Sequence, residues 1–211
     1  RIDANLLDIP INQLEEIPRD LYKEKILKLK KKTKGKIIIK EYPTASASSM
    51  HFKNLLGELK LKRNFVPDII FIDYLNICTS ARIKQGAVVN SYTYIKSIAE
   101  ELRGLAVEFN LPIMSATQTT RSGFTSTDIG LEDTSESFGL PATADFMFAL
   151  ISSDEMEELN QMLVKQLKNR YNDPTSYRKF IIGVDRSKMR LYDAEHKAQE
   201  DIADSGQDDE P

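Results

Sequence analysis

Residues 69 to 73 read Ile-Ile-Phe-Ile-Asp, an apolar run closed by a carboxylate. Such a run has the pattern of a buried parallel strand, and an acid at its carboxyl end is how that kind of strand delivers a carboxylate to the Mg²⁺ of a bound nucleotide. A parallel strand in turn requires helical crossovers that cover the sheet, so the chain is constrained to an α/β fold. The complementary element is missing. No G-x-x-x-x-G-K-[ST] loop, whose backbone N–H groups cradle phosphates, occurs anywhere in the 211 residues. The sequence carries the metal side of an ATP site without its phosphate side.

Length and 41% hydrophobic content are enough for one domain with a sizeable core. No apolar run approaches the ~20 residues of a membrane span. Cys78 is the only cysteine, which excludes an internal disulfide, and no secretory signal precedes the first apolar stretch, so a reducing cytoplasm is expected. Two isolated histidines argue against a zinc site. Arg1 is not a start methionine, and more polypeptide is expected upstream.

The net charge of −3 hides an uneven distribution. From Asp193 to the end stand eight acids against the single Lys197, and residues 194–211 read as an acidic disordered tail because they hold too little apolar surface to offset the entropy of ordering. Between Leu21 and Lys40 lie nine lysines and one glutamate. A solvated amphipathic helix accounts for them, and a phosphate-binding patch is the alternative.

Along the chain, Lys36 to Glu41 has strand composition, with Ile37, Ile38 and Ile39 in succession. Ser46, Ser48 or Ser49 caps a helix carrying Phe52, Leu55, Leu56 and Leu59. Ile95, Ile98, Ala99, Leu102, Leu105, Ala106 and Phe109 trace one stripe, which predicts a helix over 91–109. Leu111 to Ala116 and Ala144 to Ile151 are further strand candidates, and Tyr177 to Val184 with Met189 to Tyr192 predicts a terminal hairpin. Glu155 to Lys168 fits a helix or a strand equally well.

In an open α/β sheet, ligands bind beyond the carboxyl ends of the strands. Four places qualify: Asp73 with Tyr74; Gln118, just past Leu111 to Ala116; Lys168 and Arg170, ahead of Asn172-Asp173-Pro174; and the loop from Arg121 to Thr134. Each is weak alone, since an acid at a strand end commonly caps a turn and Lys-x-Arg is common on surfaces. In this order they are informative. Asp73 would hold Mg²⁺ through a bound water, and Gln118 would sense the γ-phosphate and relay its loss to the adjoining loop.

These segments resemble the carboxyl-terminal part of DnaB-family replicative DNA helicases, in the version carried by T-even-type bacteriophages. Ile69 to Asn76 resembles the family's Walker B strand, Ser115 to Ser122 its glutamine-centred motif, and Lys168-Asn-Arg170 its Lys-x-Arg motif. The resemblance implies a partial RecA-like P-loop NTPase core over residues 1–193. Its sheet would be mostly parallel, with a terminal antiparallel hairpin, and would lack the Walker A strand and loop. It implies ATP and Mg²⁺ as cofactors, shared between the subunits of a hexamer. Asp73, Gln118, Lys168 and Arg170 would be the catalytic and nucleotide-binding residues, Arg170 being an arginine finger for the neighbouring subunit and Lys168 its companion.

It further implies that Walker A and a catalytic glutamate lie before Arg1, in either an excised or naturally split helicase or a chain whose amino-terminal half lies outside these 211 residues. A split or truncated gene product working with a separate Walker A half is the favoured expectation. Expected partners are single-stranded DNA, a primase and a helicase loader, in the cytoplasm of an infected bacterial cell, with no membrane. DNA would meet two loops: Thr79 to Asn90, with Arg82 and Lys84, and Arg121 to Gly139, with Arg121, Ser135, Glu136 and Phe138. Ser135 stands where the family has arginine and Phe138 where it has glycine. Few aromatics lie in these loops, so backbone tracking with weak base preference is expected. Two rivals remain: a catalytically silent RecA-fold DNA-binding or regulatory protein, and a RecA-type recombinase or clock-like ATPase. Lys-x-Arg ahead of the turn favours the helicase.

Overall fold

A computed structural model describes residues 1–84, 88–119, 130–131, 139–173 and 178–194. The elements in chain order are α1 (Ile2–Leu7), α2 (Ile11–Leu14), α3 (Arg19–Lys32), α4 (Ser49–Arg63), β1 (Ile70–Ile72), a 3-10 turn (Leu75–Ile77) and α5 (Ser91–Phe109). They continue with β2 (Ile113–Ser115), α6 (Gly139–Thr143), β3 (Phe146–Ile151), α7 (Asp154–Glu158), β4 (Gln161–Asn169), β5 (Lys179–Asp185) and β6 (Arg190–Asp193). Two compact units divide the chain. Lys40–Met147 with Leu167–Pro174 form one; Arg1–Ile39, Phe148–Gln166 and Thr175–Pro211 form the other.

In the first unit, α4 begins where the Ser48 N–H donates to His51 Nδ1 at 3.2 Å, satisfying a donor at the helix start. It stops at Asn64, whose left-handed φ of 48° no helix can continue. The Asn90 side chain caps α5 by accepting from the Thr93 N–H at 2.8 Å, and Asn110, again left-handed, ends it. Strand β1, between these helices, pairs parallel with β2, which follows α5, with Ile70 opposite Ile113 and Ile72 opposite Ser115. The predicted stripe of α5 is the core: Ile95, Ile98, Ala99 and Leu102 pack with Leu75, Cys78 and Leu140, and Phe52, Ile72 and Tyr94 close the edges. Ile98 is 1% exposed. This packing fixes the turn that follows β1 onto α5, and so fixes where Asp73 stands.

The four-stranded sheet, in the order β3-β4-β5-β6, belongs mainly to the second unit. Its β4 and β5 pair antiparallel with Gln161 opposite Gly183, as do β5 and β6 with Gly183 opposite Tyr192. The Tyr192 ring lies across Gly183 so closely that a Cβ there would fall 2.2 Å from it, which is why this strand interior carries a glycine. Asp185 closes the hairpin by accepting from the Ser187 hydroxyl at 2.6 Å and the Lys188 N–H at 3.1 Å.

The helix over 91–109, the Ser48 cap and the terminal hairpin agree with the sequence reading. The ambiguous stretch 155–168 resolves into both of its options, the short helix α7 followed by β4. Lys36 to Glu41 is not a strand: no strand pairs with it among the described residues, and Ile37 and Ile39 are 66% and 71% exposed. Isoleucines supply strand propensity, but a strand needs a hydrogen-bonded neighbour. The run at 69–73 forms the expected parallel strand, though it is not buried on both faces, since Phe71 is 70% exposed.

Candidate nucleotide and nucleic-acid site

Because β1 and β2 run parallel in register, their carboxyl ends emerge side by side, and the structure brings Asp73 and Gln118 to one edge. Asp73 is the first residue past β1 and Gln118 lies three past β2; both are exposed. Side-chain bonds tie the two strand exits together. The Ser115 hydroxyl donates to the Ile72 carbonyl at 2.9 Å, the Thr117 hydroxyl to Asn76 Oδ1 at 2.9 Å, and the Leu75 N–H to the Ala116 carbonyl at 3.1 Å. Gln118 Nε2 donates to the Tyr74 hydroxyl at 3.4 Å, a long contact. The position of Gln118 is thereby linked to the residue next to Asp73.

Lys168 and Arg170 leave β4 in the same unit, at a different place. The Lys168 ammonium donates to the Pro141 carbonyl of α6. Burial holds its pKa below the ordinary lysine range, and the Arg170 charge adds to that effect. Arg170 Nη2 donates to the Ala142 carbonyl at 2.9 Å and Nη1 meets Asp145 Oδ1 at 3.0 Å. Arg103, from α5, meets Asp145 Oδ2 at 2.8 Å and the Thr143 carbonyl at 2.7 Å. Burial works to raise the Asp145 pKa, but the hydrogen bonds and charges of Arg103 and Arg170 prevail and hold the carboxyl below its usual range. The Arg170 side chain is still 45% exposed, so its guanidinium keeps a face for a second anion.

Arg82 and Lys84 are exposed on the segment that follows the 3-10 turn, and Arg82 meets Glu100 at 3.3 Å. Its backbone is held from beneath by Glu101 of α5, only 7% exposed, which accepts from the Ser80 hydroxyl at 2.5 Å, the Ser49 hydroxyl at 2.7 Å and the Ala81 N–H at 2.9 Å. Burial works to raise the Glu101 pKa, and these hydrogen bonds outweigh it, so the carboxyl sits below its ordinary value. Arg121, Ser135, Glu136 and Phe138, and the tail from Glu195 onward, lie outside the described residues.

Sequence reasoning missed Glu101, Asp145 as a bridge, and Arg103. For Glu101 a signal existed, because it falls between Ile98 and Leu105 on the apolar stripe of α5, where a carboxylate must be fully hydrogen-bonded. For Arg103 no pattern pointed the way. Asp73 offers a single exposed carboxylate, and Mg²⁺ commonly takes one or two carboxylates and completes its shell with waters and phosphate oxygens. No cluster of three or more metal-binding side chains exists among the described residues.

A family model described as DnaB-like helicase C terminal domain matches residues 5–188. The chain is 46% identical over 198 residues to a DnaB-like replicative helicase of Enterobacteria phage T4, covering 92% of this chain and 42% of that protein. It is 31% identical over 123 residues to a probable plasmid replicative DNA helicase of Chlamydia trachomatis, covering 57% of this chain and 25% of that protein. Among solved structures it is similar to an ATPase domain, with TM-score 0.70 and 19% identity over 92% of this chain and 68% of that one. A second is a DnaB-like replicative helicase described with its interactions with primase, with TM-score 0.69 and 19% identity over 92% of this chain and 47% of that one. The chain thus spans less than half the length of the curated relatives it matches.

Proposed function

Since this chain belongs to the DnaB-like helicase C-terminal domain family, we propose that it is the carboxyl-terminal portion of a hexameric replicative DNA helicase. The assembly translocates on single-stranded DNA and unwinds the duplex at the expense of ATP. Asp73 and Gln118 are the Walker B carboxylate and the γ-phosphate sensor, and Lys168 and Arg170 serve the pocket of the neighbouring subunit, Arg170 as arginine finger. Walker A and the catalytic glutamate of the pocket are not supplied by these 211 residues, which contain no G-x-x-x-x-G-K-[ST] loop. The observation that supports this best is the shared edge of Asp73 and Gln118, at the carboxyl ends of adjacent parallel strands.

Asp73 would hold Mg²⁺ through a water molecule, and when bound that ion neutralises phosphate charge as the terminal phosphoryl group is transferred. Gln118, linked to Tyr74, registers whether an anion occupies the edge and passes the difference to the loop that follows it. Arg170 presents a planar fork that spans two phosphoryl oxygens, which an ammonium cannot do. Arg82, Lys84 and Arg121 contact DNA phosphates, with Ser135, Glu136 and Phe138 lining the second loop. A primase and a loader are further partners, in the cytoplasm of an infected host; among the described residues no helix is long and apolar enough to cross a membrane.

The test is to mix the chain with a part bearing Walker A and measure single-stranded-DNA-stimulated ATP hydrolysis. Hydrolysis in the mixture alone supports the reading. DNA binding with no hydrolysis in any mixture identifies the silent RecA-fold module instead.

A further inference from the structure

We propose that Glu101 is a positioning residue that acts through the backbone of Ser80 to Ile83 to set where Arg82 and Lys84 stand, while the adjacent Glu100 occupies the Arg82 guanidinium until a nucleic-acid phosphate displaces it. The nucleic-acid role rests on the function proposed above; the anchoring does not.

Residues 80 to 83 have no helical or strand hydrogen bonding, so their N–H groups need other acceptors. All four find them in one cluster. Both Glu101 oxygens accept from the Ala81 N–H, at 2.9 and 3.1 Å, and Oε1 accepts from the Arg82 N–H at 3.3 Å. The Ser80 hydroxyl donates to Glu101 Oε1 at 2.5 Å and accepts from the Arg82 and Ile83 N–H groups, each at 3.1 Å. The Ser80 N–H donates to the Tyr94 hydroxyl at 3.3 Å. Ser97 and Ser49 complete the shell with hydroxyls at 3.3 and 2.7 Å from the carboxylate. Consecutive N–H groups converging on one anion form a nest of the kind that elsewhere holds phosphate, and here the anion is the protein's own.

The cluster also joins three elements, with Ser49 on α4, Ser97 and Glu101 on α5, and the segment itself. A carboxylate 7% exposed and bonded only to uncharged groups is fixed in place and cannot be exchanged cheaply. Arg82 and Glu100 behave in the opposite way. Their pair is 3.3 Å long with side chains 60% and 42% exposed, the class of ion pair that contributes little and yields to a competing anion. Two neighbouring acids on one helix therefore do different jobs, Glu101 holding the backbone and Glu100 holding the replaceable charge.

The experiment compares Glu101→Gln and Glu100→Gln in the full chain, using a fluorescent oligothymidylate as probe and amide hydrogen exchange as a second readout. In Glu101→Gln the side-chain amide puts a donor against the Ala81 and Arg82 donors. Exchange at residues 81 to 83 should then accelerate about tenfold or more while the centre of α5 stays protected. Oligonucleotide affinity should fall, and the slope of log affinity against log salt should shrink by ~0.7 for each phosphate that the segment no longer neutralises. Glu100→Gln should tighten binding a few-fold and leave exchange unchanged, whereas removal of negative charge alone would move both variants in the same direction.

Unchanged exchange at 81 to 83 in Glu101→Gln overturns the anchor. So does tighter binding by Glu101→Gln, which would make it mere background charge. Accelerated exchange with unaltered affinity overturns the positioning role. The double variant Arg82→Ala, Lys84→Ala separates the two levels: if it binds normally, the loop's DNA role fails whatever Glu101 does. Ser80→Ala removes a bridging hydroxyl without altering charge and should repeat the Glu101→Gln pattern more weakly, should Glu101→Gln fail to fold.

Discussion

The Arg170 guanidinium meets one oxygen of the Asp145 carboxylate at 3.0 Å while Arg103 takes the other at 2.8 Å. A carboxylate held between two guanidiniums cannot rotate to favour either, so it fixes the first residue past β4 relative to α5. The backbone reinforces this, since the Arg170 N–H donates to the Asp145 carbonyl at 3.0 Å. An exposed arginine ordinarily samples many rotamers; this one has its plane set before any anion arrives, which lowers the entropy cost of a bidentate contact.

Replacing Arg170 by alanine should leave the assembled protein folded and reduce DNA-stimulated ATP hydrolysis by about 10³ to 10⁵-fold, the range of arginine fingers elsewhere. Arg170→Lys should recover little, because one ammonium cannot reach Asp145, the Ala142 carbonyl and a second anion together. Steady-state hydrolysis with the Walker A-bearing part checks both variants, and full activity in Arg170→Ala removes the finger assignment.

Asp73→Asn keeps the size of the side chain and deletes its charge at an exposed strand end. Affinity for Mg²⁺ should drop by roughly 10 to 100-fold, the usual cost of losing a group that acts on a metal through its shell of ligands. Oligomer mass should not change. Hydrolysis measured against Mg²⁺ concentration, alongside light scattering, tests the pair of expectations.

Ile98, 1% exposed at the centre of α5, contacts the turn after β1 through the cluster that contains Leu75 and Cys78. Ile98→Ala should cost ~2 to 5 kcal/mol in unfolding free energy, from lost transfer and an unfilled cavity. Urea denaturation of the chain reads this directly. A loss under ~1 kcal/mol would mean that the site is not seated on this core.

The elements that could be read from sequence are those whose signal is local. The α5 stripe, the Ser48 cap and the hairpin around Asp185 each declare themselves through periodicity, a capping residue or a turn former. Asp73 and Gln118 come to one edge for a related reason: each lies within three residues of the end of a short parallel strand, and parallel pairing makes such positions neighbours, while their roles remain part of the proposal. What escaped depends on partners distant in the chain. Ile37 to Ile39 looks like a strand, but pairing is a property of two segments, and none of the described strands pairs with it. Arg103 reaches Asp145 across 42 positions and Ser49 reaches Glu101 across 52, separations that no periodicity encodes.

Glu101 gives the fold an acid limit with a calculable sign. Its carboxyl lies below the ordinary glutamate value of 4.5, because the donors from Ser80, Ala81, Ser49 and Arg82 favour the ionised form more than burial disfavours it. A group with a depressed folded pKa contributes stability that is fully present above its unfolded value and is lost as pH falls through the folded one. Melting temperature should therefore be insensitive to this group from neutral pH down to about 5, then decline below the 4.5 reference as protonation replaces an acceptor by a donor facing donors. Asp145 adds a second loss of the same sign, since Arg103 and Arg170 hold it low against burial. In Glu101→Gln the acid-side slope should flatten by the share of one proton while the neutral-pH melting temperature falls. An unchanged slope in that variant would assign the whole acid limit to Asp145 and the exposed carboxylates, and would remove Glu101 as a titrating support of the segment that carries Arg82.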